Sequence, residues 1–216
     1  MRVSPKPKQQ AAFTLTELVV VALMLGLLFG LLVPTLYHVK QKSKRIGCVS
    51  NLKNLGLAFR VSATDRGDRP PSSLSTNQIG SEEFATPREL FRYFQAMSNE
   101  VATPKILACP ADDRKPAPSF AGLGNNNISY FLGLPASETS PHTLLAGDRN
   151  LSVNGAAQRP GVFELTTNVI VGWTKDLHRF RGNVTLGDGS VQQLSQPQLN
   201  AWIGASGGAT NRLVIP

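Results

Sequence analysis

Apolar residues are distributed along this chain in three different ways, and each predicts a different kind of element. From Leu18 to Leu36 the sequence LVVVALMLGLLFGLLVPTL runs nineteen residues without a charge. As a helix rising ~1.5 Å per residue it spans roughly 28 Å, the thickness of a bilayer core. It is longer than the apolar stretch of a secretory signal and passes into a polar helical pattern instead of a small-residue cleavage site, so it predicts a membrane-spanning helix. Pro34 removes one backbone donor and predicts a kink or a locally melted turn there. Gly26 and Gly30, four apart, permit close helix approach in lipid, a weak signal in an apolar run.

From His38 to about Ala63 the pattern becomes amphipathic. Cys48, Leu52, Leu55 and Phe59 recur at spacings of four, three and four, with Lys40, Lys44, Lys53 and Arg60 mostly elsewhere. One face of this scaffold helix can therefore pack on a domain, and Asp65, Gly67, Asp68, Pro70 and Pro71 end it. Beyond it, Pro87 to Met97 predicts a short helix with Thr86 as N-cap. The third regime is strand-like: Ile128 to Leu134, Thr143 to Ala146, Val162 to Leu165, Val169 to Trp173, and a pair flanking Asp188-Gly189. That dipeptide favours a two-residue hairpin turn with positive φ. Pro197 to Ile203 predicts a short helix and Asn211 to Pro216 a terminal strand. The expected fold is α+β: a long N-terminal helix, half membrane span and half amphipathic, packed on a small antiparallel-sheet head. The expected divisions are a leader over 1–12, a transmembrane helix over 13–37, a scaffold helix over 38–65 and the α+β head over 66–216.

Composition narrows the function less than the pattern does. The formal net charge is +8, but Arg2, Lys6 and Lys8 precede the apolar run and Lys40, Lys42, Lys44 and Arg45 follow it. Basicity concentrated there is a poor argument for a nucleic-acid partner, and none is expected. The two flanks are about equally basic, so charge counting does not orient the span.

Immediately before the apolar run stands AAFTLTELVVV. This segment resembles the prepilin signature, in which a basic leader is cut before an aromatic residue at the edge of the membrane helix. The resemblance implies cleavage between Ala12 and Phe13 by a prepilin peptidase, with methylation of the new amine. It also implies that Glu17 is the acidic position used in fibre assembly, where it pairs with the Phe13 amine of a neighbouring subunit. Ala12 stands where glycine is usual and Thr16 where an aliphatic residue is usual. Read from the residues alone, Thr14-x-x-Glu17 is also a capping box. The implied placement is single-pass in the inner membrane, N-terminus cytoplasmic and head periplasmic or extracellular. The implied partners are the peptidase, other pilin or pseudopilin subunits, an inner-membrane assembly platform and the lipid bilayer.

A second resemblance covers much of the remainder. CVSNLKNLGLAFRVSATDRGDRPP from Cys48, ILACPADD, SYFLG, LLAGDRN and HRFRGNVTLGDGSV look like the bacterial group of pilin-like proteins with a C-terminal His-x9-Asp-Gly motif. Here the motif is His178 and Asp188-Gly189, read as residues that fix a hairpin; the competing reading is a metal ligand pair. The two cysteines, Cys48 and Cys109, are either a bridge between scaffold helix and head, closing about 60 residues for ~4 kcal/mol, or two separate small buried residues. Asp112, Asp113, Asp148 and Asp188 lack a calcium-loop pattern and read as turn formers. No cofactor or metal is expected, calcium being the only one left open. Trp173, Trp202 and Phe180 read as core. No convergent nucleophile, acid and base accompany these residues, so an enzyme is not expected. The leading function is a structural subunit of a type IV pilus or type II secretion pseudopilus. The alternative is a minor pilin or tethered module whose head binds carbohydrate, DNA or another surface.

Overall fold

The computed structural model describes residues 14–65, 86–134, 142–166, 168–205 and 211–216. Its contacts divide into two compact units, Met1–Lys42 and Ser43–Pro216. The first helix, α1 (Leu15–Asp65), belongs to both. Within the first unit its span from Leu15 to Val33 is predominantly apolar, has no buried residue, and is long enough to cross a membrane, with a mean hydropathy of 2.5. Its opening turn carries the capping box: the Thr14 N–H and hydroxyl both donate to Glu17 Oε2 at 2.9 Å, and the Glu17 N–H donates to Thr14 Oγ1 at 3.3 Å. The helix continues through position 34 without a melted turn.

The second unit is α+β. After the scaffold half of α1 come α2 (Leu90–Ala96) and α3 (Ser98–Val101), then β1 (Tyr130–Gly133), β2 (Leu144–Asp148), β3 (Leu151–Val153), β4 (Ala156–Ala157), β5 (Gly161–Leu165), β6 (Val171–Trp173), β7 (Arg181–Leu186), β8 (Val191–Ser195), α4 (Gln196–Ala205) and β9 (Asn211–Ile215). Six strands form one antiparallel sheet in the order β5-β9-β1-β2-β7-β8, and three more form a second in the order β4-β3-β6. Strand alternation divides the interior in two. Tyr130, Leu132 and Ala146 join Cys48, Leu52, Leu55 and Phe59 of α1 and Leu90, Tyr93 and Phe94 of α2. Phe131, Leu144, Val184 and Leu213 join Trp173 of the small sheet and Leu199 and Ile203 of α4. The large sheet is thus a middle layer covered on both faces, which is why every residue of β1 and β2 is buried.

Two glycines set how closely helix and sheet approach. A Cβ on Gly56 of α1 would lie 2.9 Å from Thr185 Cγ2 and 3.2 Å from the Gly189 carbonyl oxygen, so the β7–β8 loop fits against bare helix backbone. Gly189 sits at φ +80°, whereas Asp188 has no positive φ. The expected two-residue turn is therefore a longer one: Leu186 N–H donates to Ser190 O, Gly189 N–H donates to Leu186 O, and Asp188 Oδ1 accepts from Ser190 N–H at 2.8 Å. A single left-handed glycine at the third loop position suffices for that hairpin.

Other expectations shift for identifiable reasons. The helix after position 86 starts at Leu90 with Glu89 as its N-cap and no side-chain cap bond, so Thr86 is not the cap. Instead the distant Asn125 accepts from Phe91 N–H at 3.0 Å and donates to Pro87 O at 2.7 Å, satisfying an orphan donor of the first turn from across the chain. Of the small sheet only β6 falls within an expected strand, Val169 to Trp173; β3 and β4 were not expected, being only three and two residues long. Its open edge at β6 is closed by the Asn200 side chain, which accepts from Val171 N–H and donates to Val171 O.

Candidate functional site

The described sequence-expected residues do not all meet. Ala12 and Phe13 lie outside the described residues, Glu17 caps α1, and Asp188 and Gly189 form the β7–β8 turn. His178 does not act on that hairpin. It precedes β7, and its Nε2 lies 3.4 Å from Asp148 Oδ2 and 3.5 Å from Cys109 Sγ. Cys48 Sγ lies 3.0 Å from Asp148 Oδ1. The ligating atoms of Cys48, Cys109, Asp148 and His178 all fall within 4.8 Å of one another. The two cysteines expected as a bridge are brought together, and in this structure both are free and buried.

Each donor is delivered by a different element. Cys48 is on the buried face of α1, one turn after Arg45. Cys109 follows a short 3-10 turn over Pro104–Leu107, and its sulfur accepts a hydrogen bond from Ala111 N–H at 3.4 Å. Asn51 of α1 donates to Ala108 O at 3.0 Å and so pins this segment under the helix. Asp148 ends β2 and has no exposed surface. Its Oδ2 accepts from both the backbone N–H and the side-chain amide of Asn183 on β7, at 2.7 and 2.8 Å, which holds the carboxylate in one orientation. His178 is carried by a turn held from below by buried Asn150, whose Nδ2 donates to Asp176 O at 2.9 Å and Thr174 O at 3.3 Å. Leu177, Arg179 and Phe180 around it all have φ between 52° and 61°, a left-handed conformation costing non-glycine residues about 1–2 kcal/mol each. The same turn leaves Phe180 61 % exposed, correcting its expected core role; Trp173 is buried and Trp202 partly so, with its Nε1 donating to His142 O.

Electrostatics follow from burial. Asp148 is pushed up to about 6 by loss of water, against the opposing pull of hydrogen bonds from Cys48 and Asn183 and of the Arg45 charge. Burial, and then Arg45, hold His178 down to about 4, so at neutral pH its ring is an uncharged imidazole and its contact with Asp148 is not an ion pair. Burial, the neighbouring Cys109 and the carboxylate raise the Cys48 thiol well above its usual range. Tyr130, which lies 3.3 Å from Cys48 Sγ through its hydroxyl, is raised in the same way, first by burial.

A second polar group braces the site. Asp112, three residues after Cys109, takes both arms of the Arg149 guanidinium at 2.7 and 2.8 Å. Burial alone would raise this carboxyl, but the Arg149 fork and a Ser129 hydrogen bond outweigh it and hold it below its usual value. Arg114 donates to the carbonyls of Asn125, Ile128 and Pro216, tying the same loop to the C-terminal strand. Asp112 is thus an ion-pair partner and not only a turn former. No protein-family model, curated protein or solved structure matches this chain.

Proposed function

We propose that this chain is a membrane-anchored assembly subunit of the pilin or pseudopilin kind, whose N-terminal helix serves both as anchor and as the packing element of a fibre. The observation that supports this most is the division of labour along α1: 19 exposed, uncharged-but-for-Glu17 residues from Leu15 to Val33, and then a face whose Cys48, Leu52 and Leu55 are wholly buried in the second unit. An exposed run this apolar needs lipid or other helices around it. Glu17 is the exception that gives the reading content. A carboxylate near lipid costs up to about 2.5–3.5 kcal/mol toward mid-bilayer, and the Thr14 hydroxyl and N–H offset only part of that. In the proposed assembly the free amine of Phe13 on a neighbouring subunit supplies the missing positive charge.

Two measurements on the protein expressed in a host with a prepilin peptidase and fibre machinery test this. Mass spectrometry of the membrane-extracted chain is expected to find a mature N-terminus at Phe13, with nothing from Arg2 to Ala12. Glu17→Ala is expected to leave cleavage and membrane insertion intact while removing the subunit from sheared fibres. An N-terminus at Met1 or inside the apolar run, or fibre incorporation unaffected by Glu17→Ala, refutes the proposal.

A further inference from the structure

The buried cluster is more ordered than two stray thiols and a polar pair require. We propose that Cys48, Cys109, Asp148 and His178 form a closed, four-coordinate site for a borderline-soft divalent cation of the zinc type, a metal clasp between the scaffold helix and the sheet. A tetrahedral site with metal–ligand bonds of ~2.0–2.3 Å has ligand atoms ~3.3–3.8 Å apart. The His178 to Asp148 separation of 3.4 Å is long for an N–H···O hydrogen bond, and it and the 3.5 Å between His178 and Cys109 both fit such edges. The 3.0 Å approach of Cys48 Sγ to Asp148 Oδ1 is a thiol hydrogen bond, which coordination would replace.

The chemistry of the donors selects the ion. Two sulfurs and an imidazole exclude calcium and magnesium, which take oxygen shells, and favour zinc or a metal of similar softness. Four protein ligands fill a tetrahedral shell, and the His178 and Asp148 side chains are 3% and 0% exposed, so the site is structural. Charge also balances: two thiolates, one carboxylate and a dication sum to one negative charge, and Arg45, close enough to act on both Asp148 and His178, offsets it. Binding releases the two thiol protons to solvent and needs no oxidant. The outer groups are those that orient metal ligands: Asn183 on Asp148, and Ala111 N–H on Cys109. The three left-handed residues that flank His178, Leu177, Arg179 and Phe180, are a conformational cost that a bond to a metal would offset.

The full chain, purified in detergent under reducing conditions and stripped with chelator, is titrated with cobalt chloride and then with zinc chloride. Saturation at one cobalt per chain is expected, with thiolate-to-metal charge-transfer absorption and the intense d–d bands of a tetrahedral centre, both lost when zinc is added. Zinc at a hundredfold excess over its Kd is expected to raise the melting temperature by roughly 5–10 °C. Cys109→Ser and His178→Ala are expected to weaken or abolish the cobalt spectrum, whereas Asp188→Ala retains it. The wild-type titration decides the matter even where a variant fails to fold. Absence of tetrahedral cobalt bands, or melting indifferent to both chelator and zinc, overturns the clasp. So does a Cys48–Cys109 disulfide in chain alkylated directly in membranes, since bridged sulfurs cannot serve as thiolate ligands.

Discussion

The two halves of α1 share one secondary structure and obey opposite rules. In the half from Leu15 to Val33 hydrophobic residues occupy every side of the helix and all of them are exposed. In the half from Cys48 to Phe59 the large ones, apart from exposed Leu57, gather on one stripe, and that stripe is part of a core. Helix formation therefore tells little about what such a segment does; the angular distribution of its apolar residues tells most of it. An all-round apolar helix specifies an environment, whereas a striped one specifies a neighbour. The same residue type should then have different energetic weight in the two halves.

The sharpest way to break this comparison is a matched pair of truncations. Leu55→Ala empties a fully buried position and is expected to cost about 3 kcal/mol, lowering the melting temperature of the detergent-solubilised chain by roughly 6–12 °C. Leu25→Ala, at a position 50 % exposed, is expected to leave that transition unmoved. Equal effects would mean that the first half also packs on the globular unit.

A second pair adds atoms instead of removing them. Gly56→Ala places a methyl group 2.9 Å from Thr185 Cγ2, and the steric cost of about 1–3 kcal/mol is only partly offset by the ~1 kcal/mol better helix propensity of alanine. Gly26 has nothing within 4 Å of the added atom, so Gly26→Ala is expected to be neutral or slightly stabilising by the same thermal melt. The smallest effect sharpens the contrast within the striped half: Asn51→Ala removes the hydrogen bond to Ala108 O and is expected to cost about 1 kcal/mol in denaturant unfolding. A larger loss would show that this bond also holds Cys109 in place.

Both halves of α1 were readable in advance because helical periodicity is a local property. Cys48, Leu52, Leu55 and Phe59 announce their face by spacing alone, and the strands around Tyr130, Val162 and Val184 are short apolar runs between turn residues. The site was not readable in this way. His178 and Asp188 are near in sequence and read together as one motif, yet the spatial neighbour of His178 is Asp148, brought to it because β2 pairs with β7. One signal was available: in LLAGD the acid ends a strand in which every residue is buried, and a carboxylate there demands partners. Cys48 and Cys109 read from the sequence as a bridge or as two separate buried residues; the structure brings them together with both thiols free, and proximity alone does not distinguish a bridge from a pair of ligands. The β3–β4 hairpin had its own signal in Asn154-Gly155, both at positive φ, but strands this short carry no periodicity.

The position of β9 has a consequence for how the molecule is made. Residues 211–215 follow every other described strand yet lie between β5 and β1, inside the large sheet. Until they arrive, β1 and β5 have no strand to join them, and Leu132 and Val162 lack the Val214 that both pair with. A chain emerging N-terminus first can form α1 early, from local contacts, but its sheet must wait for pairings that span more than eighty positions, as Leu132 with Val214 does. Chains truncated before residue 211 would therefore be left with two unpaired strand edges, open to pairing with other chains, so the sheet becomes safe from such pairing only once β9 is in place.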